Sequence, residues 1–329
     1  MTLPLISAEQ TTGTPTVTVA ITSYKSERWI GRALDSVLQQ RAPFGVEILI
    51  ADDCSPDGTV AVVREYESRY PGLIRVIARS ENVGTQRNYY DAFEQSRGKY
   101  IAWLDHDDYW TDPDKLALQV EALEADPSLM ICGHYVRWVS RDATTDVKRP
   151  RYPEMPAGRY GMETILRRNF LPSPSVMFRN GLHRDLPEWY FEISPTTDWP
   201  LYIVAARKGD ILLLDRVMAD YTLNPTSAFW GAGDLFWYEQ DARFYRYAES
   251  IVPQRFLKQV RAERGRRYES IAYLLRKQGK FAESRRAAVE AFRSPAITDN
   301  IATKTKALVA ALVREAQWRK RGSNKPSGE

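Results

Sequence analysis

The sequence predicts an α/β protein with a mainly parallel, Rossmann-like sheet flanked by helices and an all-helical C-terminal appendix. Three observations predict it. Between residues 17 and 136, short β-branched apolar runs alternate with stretches of helical periodicity, which is how parallel βαβ units read. From about residue 231 the apolar residues recur only at helical spacing. The chain has 329 residues, 43% hydrophobic and 27% charged, an ordinary globular composition with room for about two domains.

The elements follow in order. Residues 1–15 are rich in Thr, Pro and Gly and read as a flexible arm. VTVAITS (17–23) is a short, largely β-branched strand. Ser26 is positioned to cap a helix through about Gln40 whose inner face carries Ile30, Ala33, Leu34, Val37 and Leu38. VEILIAD (46–52) is the second strand, and Thr59 is positioned to cap a helix that stops at Pro71-Gly72. LIRVIAR (73–79), a helix over 85–97 ending at Gly98, and KYIAWLD (99–105) continue the alternation. Pro113 opens a helix to about Ala125, and SLMICGHYV (128–136) is the fifth strand. Residues 140–160, rich in Arg, Asp and Pro, read as a loop; a helix over 161–169, a strand over 174–179, a helix over 197–208 and one or two strands over 210–221 follow. The domain reading is a catalytic domain over 16–228, divided at 136/137, a helical region over 229–320 and a disordered tail over 321–329. Within the helical region, 266–294 resembles one helix–turn–helix of the tetratricopeptide type, with Gly279 at the turn.

Composition excludes several classes. No window approaches 18 uninterrupted apolar residues, so no transmembrane helix is expected. The opening MTLPLISAEQTTGTPT has no basic n-region, so a cytosolic protein is expected. Cys54 and Cys132 cannot form a disulfide framework, and His106, His134 and His183 show no metal-ligand spacing. Charge is polarised: residues 251–329 hold 19 Lys+Arg against 7 Asp+Glu, a balance of +12, and residues 1–250 hold 27 against 35, a balance of −8. Such a basic end fits an anionic partner, a membrane surface or nucleic acid, or simply a solvated helical face. No recognised nucleic-acid module is visible, so no nucleic-acid partner is expected.

In open α/β sheets the ligand lies beyond the carboxyl ends of the strands. Those ends carry Thr22-Ser23-Tyr24, Asp52-Asp53, Arg79-Ser80-Glu81-Asn82 and Asp105-His106-Asp107-Asp108. No G-x-G-x-x-G and no P-loop follows the first strand, which disfavours a dinucleotide. Three carboxylates within 105–108 repel one another unless a cation sits among them, and a hard divalent ion, Mg²⁺ or Mn²⁺, that shares its shell with a phosphate is the natural partner. A helix-entry turn explains Asp108 or Asp112 but not Asp105 and Asp107 at the end of a buried strand.

The segments VAITSYKSERWIGRALDSVLQQ, ILIADDCSPDGT, ENVGTQRNY and YIAWLDHDDYWTDPDKL, spanning 17–119 in this order, resemble family-2 glycosyltransferases of the GT-A fold. NFLPSPSVMFR and TTDWPLYIVA resemble acceptor-side segments of the same family, so the likeness covers roughly 17–225. The resemblance implies roles. Thr22, Tyr24, Asp52 and Asp53 are expected to hold the base and ribose, a carboxylate accepting the N3–H of uracil or thymine. Gly84, Arg87 and Asn88 are expected near the diphosphate and sugar; Arg87 could equally be helix-surface charge. Asp105 is expected at the ribose or the metal, Asp107 as direct metal ligand, and Asp108 as the group orienting that shell or the donor sugar. The general base is expected at Asp198, which also suits an ordinary helix N-cap before Pro200.

Two departures from the family pattern stand out. Thr197 replaces a more usual acid, and Thr222 and Asn224 occupy positions where many relatives carry Arg and His. The QxxRW signature of processive relatives is absent, which implies transfer of a single sugar. Aromatics at 189–191, 199, 229–230 and 236–238 either stack on sugars or fill the core. Helix 301–320, with an apolar stripe, flanking Lys and Arg and Trp318, is either an interfacial membrane helix or packs on its neighbours. The activity implied is an inverting, metal-dependent transfer from a nucleoside-diphosphate sugar, UDP- or dTDP-linked, to a glycan, lipid-linked or small-molecule acceptor in bacterial glycan synthesis, with the protein cytoplasmic and, if helix 301–320 is interfacial, peripheral at the inner face of the membrane. The competing readings are an inactive sugar-nucleotide-binding protein and a nucleotidyltransferase.

Overall fold

The computed structural model describes residues 4–7, 13–140, 155–193, 197–223 and 233–294. The chain divides into two compact units, Met1–Pro225 and Thr226–Glu329. In chain order the first holds β1 (Val17–Ser23), α1 (Ile30–Leu38), β2 (Val46–Asp52), α2 (Thr59–Arg69), β3 (Ile74–Ala78), α3 (Thr85–Glu94), β4 (Tyr100–Asp105), β5 (Tyr109–Trp110), α4 (Lys115–Ala125), β6 (Leu129–Ser140), β7 (Gly158–Tyr160), α5 (Met162–Arg167), β8 (Met177–Arg179), α6 (Trp199–Lys208) and β9 (Asp210–Leu223).

These strands form one sheet in the order β3-β2-β1-β4-β8-β6-β9-β5, with β7 on β9. The part β3-β2-β1-β4 is all parallel. Every residue of β1 and β2 is buried, because helices cover both faces of a parallel sheet. Ile21, Ile48, Ile50, Leu34 and Val37 lie in its core, each contributing about 1.5–3 kcal/mol by leaving water. Beyond β4 the sheet is mixed. The short β8 inserts antiparallel between β4 and β6, and β6 then pairs in parallel with β9. That insertion carries the loop before β8 to the end of β4.

Two capping expectations are corrected. Ser26 does not cap α1 through its side chain; its carbonyl accepts from the Trp29 and Ile30 amides, and the helix begins at Ile30. Thr59 is the first residue of α2 rather than its cap. Its hydroxyl accepts from the Ser26 amide at 2.9 Å and donates to Asp57 at 2.5 Å, tying the loops after β1 and β2 together. Part of the expected arm is docked: Ile6 is buried and its amide donates to the Gln40 carbonyl at 3.0 Å.

The second unit contains α7 (Gly233–Ala248), α8 (Leu257–Lys277) and α9 (Phe281–Arg293). Ala242, Ile271, Ala272, Leu275, Ala287 and Ala288 form its core, against which Leu235, Tyr238 and Tyr268 pack. Gly279 takes φ +76° at the turn between α8 and α9, a conformation that favours glycine. Tyr238 thus serves this core, while Phe229 and Trp230, helix 301–320 and the tail lie outside the described residues. No helix among the described residues is long and apolar enough to cross a membrane.

Candidate active site

The parallel register sets the site. Ser23 pairs with Asp52 across β1–β2, and Thr22 with Asp105 across β1–β4, so three polar strand ends lie side by side at the carboxyl edge. Tyr24, 40% exposed, stands at the rim with the Lys25 ammonium 5.1 Å from its ring centroid.

Asp52 is fully buried. Its carboxylate accepts from the Ser23 hydroxyl at 2.9 Å, the Ser55 amide at 2.8 Å and the Ser55 hydroxyl at 2.6 Å. Asp53 accepts from the Val83 and Gly84 amides at 2.8 and 3.0 Å. Both carboxylates therefore anchor loops, a part the sequence reading did not assign; any further contact must use their remaining lone pairs. Lys25 and Cys54 hold positive φ of 54° and 58° in the two facing loops, and the Lys25 amide donates to the Ser55 hydroxyl at 3.0 Å. Such backbone strain costs of order 1–3 kcal/mol per residue and persists only where surrounding bonds impose it.

Gly84 precedes α3 with φ +85°, and an added Cβ would meet nothing within 4 Å, so backbone conformation alone selects glycine there. Arg87 points outward. It pairs with Asp91 at 2.9 Å and its guanidinium lies 5.5 Å from the Phe191 ring centroid. Asn88 is buried, accepting from Arg79 at 3.0 Å and donating to the Ala51 carbonyl at 2.9 Å, so it braces α3 on the sheet.

The acidic turn after β4 is divided in its engagements. Asp105 accepts from the Tyr89 phenol and, at 2.5 Å, from the Ser173 hydroxyl. Asp108 is 2% exposed and accepts from the Thr222 amide at 2.7 Å, so this departure from the family pattern contacts the turn through its backbone. Burial pushes both carboxyls upward in pKa, with repulsion from Asp107 adding to each. The Asp107 carboxylate accepts no hydrogen bond from the described residues. It is the oxygen pair left for a ligand. Among the described residues no three His, Cys, Asp or Glu side chains converge on one metal position, so a cation here would need oxygens from a phosphate and water as well. The mutual repulsion and the free Asp107 carboxylate fit such a cation.

Asp198 stands before α6. Its carboxylate accepts from the Trp199 amide at 2.7 Å and from the Asn169 side chain at 2.8 Å. Burial raises its pKa to about 6, and the charge of Asp105 adds to the rise. The loop that brings Asn169 to Asp198 also brings Ser173 to Asp105. The N-cap role and a carboxylate of raised pKa therefore coexist in one residue.

Tyr89, Asn169 and Ser173 were not foreseen. Tyr89 lies on the inward face of α3, which the helical pattern could indicate only as core. Asn169 and Ser173 come from the loop before β8, whose proximity to β4 depends on strand order. The aromatics divide: Tyr190 is buried, Phe191 is 41% exposed, and Trp199 is buried with its indole donating to the Ile165 carbonyl at 2.7 Å.

Residues 18–184 match the family model described as Glycosyl transferase family 2. An uncharacterised protein of Mycobacterium tuberculosis (strain ATCC 25618 / H37Rv) is 38% identical over 200 residues, covering 60% of this chain and 56% of that protein. The chain thus spans little more than half the length of that relative. Among solved structures, S. aureus TarS 1-349 in complex with UDP-GlcNAc superposes with a TM-score of 0.65 at 17% identity, covering 93% of this chain and 92% of that one. The mannosyltransferase PcManGT from Pyrobaculum calidifontis, in complex with GDP-Man and Mn²⁺, gives 0.56 at 16% identity, covering 95% and 90%. At these identities the likeness is one of fold, and the fold is GT-A.

Proposed function

The chain belongs to glycosyl transferase family 2, and from that premise we propose that it moves one sugar, with inversion, from a nucleoside-diphosphate sugar to an acceptor hydroxyl. The observation that carries this reading is the half-buried Asp198 carboxylate at the start of α6, held by Asn169 from the same loop whose Ser173 donates to Asp105 in the acidic turn after β4. The acceptor oxygen forms a bond to the anomeric carbon as the bond from that carbon to the diphosphate breaks. Asp198 takes the acceptor proton, and a pKa near 6 suits a base working around neutrality. Asn169 and the Trp199 amide hold its carboxylate in one orientation. Asp107, with Asp105 beside it, would hold Mn²⁺ or Mg²⁺, which when bound would supply charge neutralisation for the diphosphate leaving group. Asp105, fixed by Tyr89 and Ser173, orients the donor next to that charge, and Asp108 keeps the turn closed on β9.

The loops anchored by Asp52 and Asp53, with Thr22 and Tyr24 at their mouth, receive the nucleoside, and Gly84 and Arg87 border the donor sugar. A carboxylate lone pair of Asp53 suits a pyrimidine N3–H, so UDP- or dTDP-sugars are the proposed donors. Thermal unfolding with UDP-, dTDP- and GDP-sugars, with and without Mn²⁺, tests both the class and the base. Protection by a pyrimidine nucleotide, larger with Mn²⁺, is expected. Stabilisation by GDP but not by UDP or dTDP would overturn the pyrimidine reading, and no protection by any donor would overturn the class.

The acceptor is a glycan, a lipid-linked intermediate or a small molecule of bacterial glycan synthesis. A lipid-linked one suits peripheral association with an anionic leaflet through the basic stretch 251–329, where each nearby Lys or Arg contributes about 1 kcal/mol. Salt-sensitive sedimentation with anionic liposomes is expected for the full chain; equal binding after deletion of 301–329 removes that segment from the proposal.

A further inference from the structure

The loop 169–175 brings Asn169 to Asp198 and Ser173 to Asp105, yet its only regular structure is one 3-10 turn at Ser173–Ser175. Buried donors hold it from beneath. The Trp110 indole donates to the Pro174 carbonyl at 3.1 Å. Gln119, fully buried on α4, donates through its amide nitrogen to the Ser175 carbonyl at 2.8 Å and to the Cys132 carbonyl at 2.7 Å. Cys132 lies on β6 and Ser175 leads into β8, so a single amide joins the loop to the sheet.

The direction of that amide matters. Turned over, it would aim its own oxygen at two carbonyl oxygens. Lys115, one turn earlier on α4, sets the direction by donating to Gln119 Oε1 at 2.6 Å. Lys115 is fully buried, 4.0 Å from the centroid of the Trp110 ring. Burial draws its pKa down to about 7, but charged or neutral the amine keeps an N–H to donate. An apolar pair would fill this space with a smaller desolvation cost. The polar chain Lys115–Gln119–Ser175 is therefore explained by what it aligns rather than by packing.

We propose that Gln119, oriented by Lys115, is a positioning residue for sugar transfer: it fixes the loop 169–175 so that Ser173 stays on Asp105 and Asn169 on Asp198. This rests on the roles proposed above for those two carboxylates.

The test uses the full chain and two variants. Lys115→Met/Gln119→Leu replaces the polar chain with apolar side chains of similar length and leaves no buried amine unpaired. Trp110→Phe removes the indole donor to the same loop together with part of the ring that Lys115 lies against. Amide exchange of the donor-free protein is expected to quicken over 171–176 in both, with β1 and β2 unchanged. Turnover at saturating donor is expected to fall roughly tenfold to a hundredfold in the double variant, the scale of a small misplacement of reacting groups. Donor affinity by calorimetry is expected to stay within about twofold, because the loss falls on the transition state. Unchanged exchange over 171–176 in both variants overturns the proposal, as does quickened exchange with unchanged turnover. Parallel loss of turnover, donor affinity and thermal midpoint also overturns it, since a general structural role gives that pattern. If the double variant does not fold, Trp110→Phe decides by the same readouts with a smaller effect. Wild-type protein that turns over no donor sinks the functional reading instead, and the exchange measurement still reports whether the tether exists.

Discussion

In EDTA the protein is expected to transfer no sugar, and Asp107→Asn is expected to be inactive at any Mn²⁺ or Mg²⁺ concentration. Asp107 stands between two carboxylates whose oxygens already accept protein hydrogen bonds: Asp105 from Tyr89 and Ser173, Asp108 from Thr222. It alone of the three has its oxygens free of protein donors among the described residues. The amide of Asn keeps the shape and removes the charge that a divalent ion needs. The variant should fold normally, because no hydrogen bond of the described residues depends on that carboxylate. The check is product formation with and without chelator, together with Mn²⁺-dependent protection of the donor complex. Full activity in EDTA would end the metal reading, and donor binding by Asp107→Asn that still responds to Mn²⁺ would move the ligand elsewhere.

Asp198→Asn is expected to lower turnover by about two to four orders of magnitude while donor affinity stays close to wild type, the signature of a lost general base. The physical basis is the raised pKa, about 6, caused first by burial and then by the nearby negative charge of Asp105. The base works only when ionised. Activity should therefore be full above that value and decline as pH falls through it, with no matching decline in donor affinity. Asn169 donates to the ionised form and pulls the pKa down. Asn169→Leu should shift the acid limb of the rate profile upward. If donor affinity collapses in Asp198→Asn while turnover at saturation is unchanged, Asp198 binds the donor and another group takes the proton.

Much of this was legible in the chain. The strands 17–23 and 46–52 coincide with β1 and β2, because short runs rich in β-branched residues and bounded by turn residues favour strand over helix. The acidic strand ends and Asp198 were legible because like charges at a buried strand end and an acid before Pro200 each call for a chemical reason. Less legible were Asp52, Asp53 and Asn88. Their residue types suit a ligand, but their carboxylates and amide are already engaged with Ser23, Ser55, Val83, Gly84, Arg79 and the Ala51 carbonyl. A polar residue at a strand end reads the same whether it meets a ligand or a neighbouring loop. Ser26 and Thr59 failed as caps for a related reason: the Ser26 amide and the Thr59 hydroxyl bond each other across the two loops, and the buried Ser26 hydroxyl meets no partner among the described residues.

What the sequence by itself determined was local. Alternating apolar runs and amphipathic stretches set the order of strands and helices, and the parallel rule brought the ends of β1, β2 and β4 to one edge with Thr22, Asp52 and Asp105 together. Only the tertiary structure decided that Asp52 and Asp105 are engaged by protein donors while Asp107 beside them stays free among the described residues. For Asp105 that depended on β8 entering the sheet antiparallel beside β4, which no periodicity announces, because a three-residue strand carries too little pattern to specify its partner. Its insertion carries Ser173 onto Asp105 and Asn169 onto Asp198 across 68 and 29 residues of chain. Hydrogen bonds over such separations are properties of the packed sheet, fixed when the core closes and the buried polar groups take the partners that remain within reach.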